Sequence, residues 1–125
     1  MKAKVIFSAI CAVIAPMFFS NVQASRTTFD NVVIEKSSRV SAHDSDTWSL
    51  SLKSHNEYTI YVFGDDDTDI DTWLYDENDN LIDKDVDETS CCILTVTPKW
   101  SGDFELKIKN YGDVYNAYTI YVVKN

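Results

Sequence analysis

Stretch after stretch of this 125-residue chain alternates apolar and polar side chains with a period of two. Phe104, Leu106 and Ile108 alternate with Glu105, Lys107 and Lys109. Trp48, Leu50 and Leu52 alternate with serines, and Tyr58, Ile60 and Val62 repeat the pattern. Successive residues of a strand face opposite sides of a sheet, so such segments predict half-buried strands. No segment beyond the N-terminal apolar run keeps a helical period. Cys91 to Thr97 is rich in β-branched residues and ends at Pro98. Polar turns separate these runs roughly every 8–12 residues, which predicts an all-β, antiparallel two-sheet β-sandwich of seven to eight strands.

Finer expectations follow from the same pattern. Phe29, Val32, Val33 and Ile34 read as a short strand or docking segment, and Ser37 to Ala42 as an edge strand. Trp48, Leu50, Leu52, Tyr58, Ile60 and Val62 form the inward set of one hairpin. Gly102 is the natural site for a positive φ. Tyr-Thr-Ile-Tyr-Val occurs at Tyr58–Val62 and again at Tyr118–Val122. Because the flanking residues do not repeat, this reads as convergence on good strand formers.

The first 24 residues have the layout of a secretory signal. Lys2 and Lys4 precede an apolar run from Val5 to Phe19, and Val22-Gln-Ala24 supplies small residues for cleavage after Ala24. That run is short for a bilayer and no second one follows, so no membrane span is expected. The expected product is secreted or periplasmic. Net charge is −9 at pH 7, and cleavage removes two lysines and no acid. Twelve of the twenty acids fall between Asp65 and Glu88, against Lys84 alone. This balance argues against nucleic acid and anionic lipid as partners and favours cations or a basic protein.

Three sets of residues could carry chemistry. Asp65, Asp67, Asp69 and Asp71 have the alternate spacing used by oxygen-rich Ca²⁺ loops. The EF-hand template fails, with Thr72 where glycine is needed and Asn78 where glutamate is needed. A candidate Ca²⁺ site would therefore be assembled between loops from Asp67, Asp69, Asp71 and Asp76. By parity, Tyr61, Trp73, Tyr75 and Tyr121 face outward and are candidate ligand-binding aromatics, a usual platform for sugars or extended polypeptides. Cys91 and Cys92 leave three readings open. They form a strained vicinal disulfide, or one buried and one exposed thiol, or they pair between molecules or with a metal. The same outward face could alternatively be covered by the 25–36 segment. His43 and His55 are the only near-neutral bases, and no nucleophile elbow, zinc-protease helix or phosphate loop accompanies them, so no enzyme is expected.

The order Asp46-Thr-Trp-Ser-Leu50, Tyr58-Thr-Ile60, Asp69-Ile-Asp-Thr-Trp-Leu-Tyr-Asp76, Asn78-Asp-Asn80, Pro98, Ser101-Gly-Asp-Phe-Glu-Leu-Lys-Ile108 and Ala117-Tyr-Thr-Ile120 resembles the bacterial pre-peptidase C-terminal (PPC) domain. That family is related to the collagen-binding modules of clostridial collagenases. The resemblance runs from Ser37 to Val122 and implies a jelly-roll-like sandwich over residues 37–125, preceded by a 25–36 lead-in segment and a cleaved signal at 1–24. Asn and Asp stand where the family usually has glycine in the 78–80 turn, and both tolerate the left-handed conformation. The copy is expected to be free-standing. The reading that results is a secreted, non-catalytic module for an extracellular protein or polysaccharide, with Ca²⁺ as a candidate stabiliser. The alternative is a chaperone or inhibitor of a secreted protease.

Overall fold

The computed structural model describes residues 29–125, so the expected signal segment and its expected cleavage after Ala24 lie outside the described residues. Eight strands follow one another: β1 (Val32–Val40), β2 (Ser45–Leu52), β3 (Tyr58–Phe63), β4 (Ile70–Tyr75), β5 (Leu81–Asp85), β6 (Cys91–Val96), β7 (Gly102–Asn110) and β8 (Asn116–Lys124). They form two four-stranded antiparallel sheets, ordered β1-β8-β3-β6 and β2-β7-β4-β5. We call these sheets A and B. Among the described strands, only β4 and β5 are sequential partners in one sheet; every other connection between them carries the chain across to the opposite sheet.

The alternation identified the inward side chains correctly. Leu50, Leu52, Tyr58, Ile60, Val62, Ile70, Leu74, Leu94, Phe104, Leu106, Ile108, Ile120 and Val122 are all buried, and Trp48 packs against them half-buried. Each fully buried aliphatic side chain stabilises the fold by about 1.5–3 kcal/mol relative to exposure. Pairing was another matter. β2 and β3 do not form a hairpin: β2 pairs with β7 in sheet B, and β3 lies between β8 and β6 in sheet A. A short polar link fits a crossover as well as a turn, and period two reports only in or out. The short 32–34 strand and the 37–42 edge strand are one strand, β1, with an irregularity between Val32 and Ile34, so residues 32–36 belong to the sheet rather than to a lead-in. The two Tyr-Thr-Ile-Tyr-Val copies pair with each other, Tyr61 opposite Tyr121 and Ile60 opposite Val122, as the two central strands of sheet A.

Among the described residues, positive φ falls on Asn31, His43, His55, Asp66 and Asp79 and on no glycine. Gly102 therefore serves another need: a Cβ there would lie 3.2 Å from a Glu77 carboxylate oxygen. Asp79 takes the left-handed position of the 76–80 turn, as its residue type allows.

Two asparagines fasten the loops at one end. The buried Asn110 donates to the carbonyls of Val40, Ser41 and Val114 and accepts from Gly112 N–H. Asn116 donates to the Thr68 carbonyl and hydroxyl and accepts from Asp65 N–H. On the flank where β5 and β6 lie side by side, β5 carboxylates cap the β6 backbone. Asp85 accepts from Ile93 N–H at 2.9 Å, and Asp83 from Thr95 N–H at 3.0 Å. An edge strand otherwise presents such groups for pairing with another chain.

Candidate functional site

Strand β4 organises the candidate residues, because it joins the acidic loop at one end of the sandwich to the tight 76–80 turn at the other. At the loop end, Gly64 lies so close to β8 that a Cβ would sit 2.7 Å from Asn116 Oδ1. The loop's own carboxylates are largely consumed in folding it. Asp65 accepts from Asp67 N–H and from Ala117 N–H, while Asp66 accepts from the Ser90 hydroxyl. Asp66, Asp67, Thr68, Asp69, Glu88, Thr89 and Ser90 line an open cleft of about 390 Å³. Within it, Asp69 Oδ1 is buried without a hydrogen-bond partner. Burial, then the negative charges of Glu88, Asp85 and Asp87, raise the Asp69 carboxyl above its ordinary value.

Asp76 behaves in the opposite way. Its carboxylate accepts from the backbone N–H of Asn78 and Asn80 and from the Asn80 side-chain amide, and these bonds hold its carboxyl below the usual range. It stands seven residues of extended chain from Asp69, roughly 20 Å away. The expected set Asp67, Asp69, Asp71 and Asp76 therefore cannot close around one ion. Asp71 points to the outer face of sheet B, opposite Lys109. Among the described residues, no three acidic, histidine or cysteine side chains converge as a metal-holding group. Strand β4 carries Asp71 along its outer face and Asp76 beyond its far end, away from the loop that holds Asp67 and Asp69.

The four aromatics also separate. Tyr61 and Tyr121 lie on the outer face of sheet A, whereas Trp73 and Tyr75 lie on the outer face of sheet B, across the whole sandwich. Sheet A's face is mainly apolar. Phe63 stacks on Tyr61 at 5.8 Å and meets Tyr121 at 5.9 Å, with Ile93 beside Tyr61 and Glu35 beside Tyr121. Burial raises both phenols, and Glu35 adds to the rise at Tyr121. Sheet B's face is polar around its two rings. Trp73 has Lys107 directly opposite on one side and Lys84 on the other, with Lys107 Nζ 5.8 Å from the ring centroid. Tyr75 lies opposite Glu105, and Thr47 and Ser49 flank these positions from β2.

Solved structures with similar backbones can be set beside this geometry. The PPC domain of a Bacillus anthracis collagenase superposes with a TM-score of 0.57 at 14% identity, covering 78% of this chain and 99% of that one. PliG from Aeromonas hydrophila, a periplasmic inhibitor of g-type lysozyme, gives 0.55 at 10% identity, covering 81% and 93%. A carbohydrate-binding module from Cellvibrio mixtus lichenase 5A gives 0.47 at 11% identity, covering 78% and 92%. The likeness is one of fold. No protein-family model matches this sequence, and no curated protein does.

The remaining candidates are placed by the same β-sandwich. Cys92 points inward as a free, buried thiol 3.2 Å from the Ile70 carbonyl, while Cys91 lies half-buried on the outer side opposite Phe63. A Cys91–Cys92 disulfide is thus not formed, since the pleat turns adjacent side chains to opposite faces. Burial, with Asp85 nearby, pushes the Cys92 thiol up and keeps it protonated. His43 Nε2 lies 2.7 Å from Asp113 Oδ1 in an exposed loop pair. Trp48 donates to the Tyr118 hydroxyl, which donates to Asp46, tying the two sheets together; burial and the Asp46 carboxylate raise that phenol. Lys84 and Lys107 were missed as site residues. Their outward parity was legible, but their position beside Trp73 needed the strand register.

Proposed function

We propose that this chain is an exported, non-catalytic binding module that grips an extracellular polysaccharide or protein through the outer face of sheet B. The observation that carries the reading is the pair Trp73 and Tyr75, side by side on β4 within a polar surface of lysine, glutamate, serine and threonine. Aromatic rings offer stacking area with little conformational cost, and the polar rim supplies directional hydrogen bonds. Sheet A's rings pack on one another instead. The non-catalytic reading is supported by the fold likeness to a PPC domain and to an inhibitor protein. Ca²⁺ enters as a counter-ion at the Asp69 cleft rather than as a cofactor.

The test is retention of the protein on insoluble polysaccharides and on immobilised collagen. Trp73→Ala and Tyr75→Ala should each weaken retention at least about tenfold, the size of a lost stacking contact, with Tyr61→Ala and Tyr121→Ala close to wild type. Loss in the Tyr61 and Tyr121 variants alone would move the site to sheet A. A second reading, an accessory chaperone or inhibitor of a secreted protease, is supported by the fold shared with a lysozyme inhibitor and by the acidic charge, which favours a basic enzyme. Co-purification with a secreted protease that survives Trp73→Ala would favour it.

A further inference from the structure

Within the polysaccharide arm of that reading, we infer that the sheet B face selects a carboxylated glycan, a polyuronate, by placing Lys84 and Lys107 on either side of the Trp73 ring. The register makes this row explicit: Thr47, Lys107, Trp73 and Lys84 lie directly opposite one another across β2, β7, β4 and β5. Two lysines separated by one intervening strand have backbones roughly 10 Å apart, about the length of a disaccharide. A sugar ring on Trp73 would thus bring flanking carboxylates within reach of both ammonium groups.

Charge is distributed to suit such an occupant. Nine of the twenty acids sit at the two ends of the sandwich, in the 65–69, 76–79 and 87–88 segments, while Lys84, Lys107 and Lys109 sit on the strand face. Asp71 and Glu105 stand one position above and below the lysine row, opposite Lys109 and Tyr75. They bar anions from the neighbouring positions and confine them to the row itself. Lys107 Nζ already rests near the Trp73 ring, a cation–π contact that a carboxylate can replace with an ion pair as the sugar takes the ring face. Lys84 is exposed. A long nucleic acid strand fits less well, because it needs a continuous basic stripe and this one is two lysines wide within a chain of net charge −9.

The experiment is titration of the full chain with oligogalacturonate, with a neutral cello-oligosaccharide of equal length and with oligothymidylate, followed by tryptophan fluorescence and calorimetry. Oligogalacturonate should bind at least tenfold more tightly than the neutral glycan. The preference should collapse in Lys84→Gln with Lys107→Gln and on raising salt, while all binding is lost in Trp73→Ala. Equal binding of both glycans, unchanged by the lysine substitutions but lost in Trp73→Ala, overturns the charge selection and leaves the binding-module reading intact. Tighter binding of oligothymidylate overturns the glycan assignment. Binding of none of the three overturns this inference together with the polysaccharide arm it rests on. Unchanged melting curves of the lysine variants exclude misfolding as the cause of any loss.

Discussion

The two ends of β4 carry the same residue type and treat it in opposite ways. Asp76 at one end receives two backbone N–H groups and a side-chain amide, and its carboxyl is driven down. Asp69 at the other has an oxygen buried without a donor, faces Glu88, Asp85 and Asp87, and is driven up. One carboxylate holds a turn together; the other is a strained charge beside an open cleft. The difference teaches that a run of aspartates is not one feature. Whether each stabilises the fold depends on how many N–H donors the local backbone aims at it.

The comparison can be broken at three points. The largest effect is expected from Asp85→Ala. Asp85 is only 1% exposed and accepts from Ile93 N–H. Removing it orphans that donor, so urea denaturation should show a loss of roughly 3 kcal/mol. Asp85→Asn should lose less, and should bring the Asp69 carboxyl back toward its ordinary value when followed by NMR titration.

Next comes Asp76→Ala, which strips the 76–80 turn of its acceptor. A depressed carboxyl contributes stability above the unfolded value of about 3.9. That stability is lost as pH falls through the folded value. The variant should therefore melt lower at neutral pH, and the gap should close in acid.

Asp69→Asn is expected to do the reverse. A raised carboxyl favours the fold below the unfolded value, and that advantage disappears as pH rises through the folded one. The variant should gain stability at pH 7 and nothing near pH 3. Millimolar Ca²⁺ should raise the melting temperature of the wild type by a smaller amount and leave Asp69→Asn unmoved. A melt indifferent to Ca²⁺ and EDTA would retire the ion.

How much of this was legible depended on the range of the signal. Parity along a strand is local, so it placed Leu50, Ile60 and Leu106 inside and Trp73 and Tyr121 outside. Turn chemistry is local too: Asp79 in the 78–80 turn takes a positive φ, although Gly102, the expected site, does not. The 48–62 hairpin, the aromatic quartet and the four-aspartate site all required knowing which strand lies beside which, and all three were redrawn.

The sequence by itself determined an all-β chain, its inward and outward residues and its turn positions, because backbone pleat and residue conformational preference act over a few residues. Only the tertiary structure decided that Tyr61 and Trp73 face opposite sides of the protein, that Lys84 and Lys107 bracket one ring, and that Asp69 and Asp76 titrate apart. Sheet membership and register arise from burying apolar faces against each other across dozens of residues, and no local pattern encodes that choice.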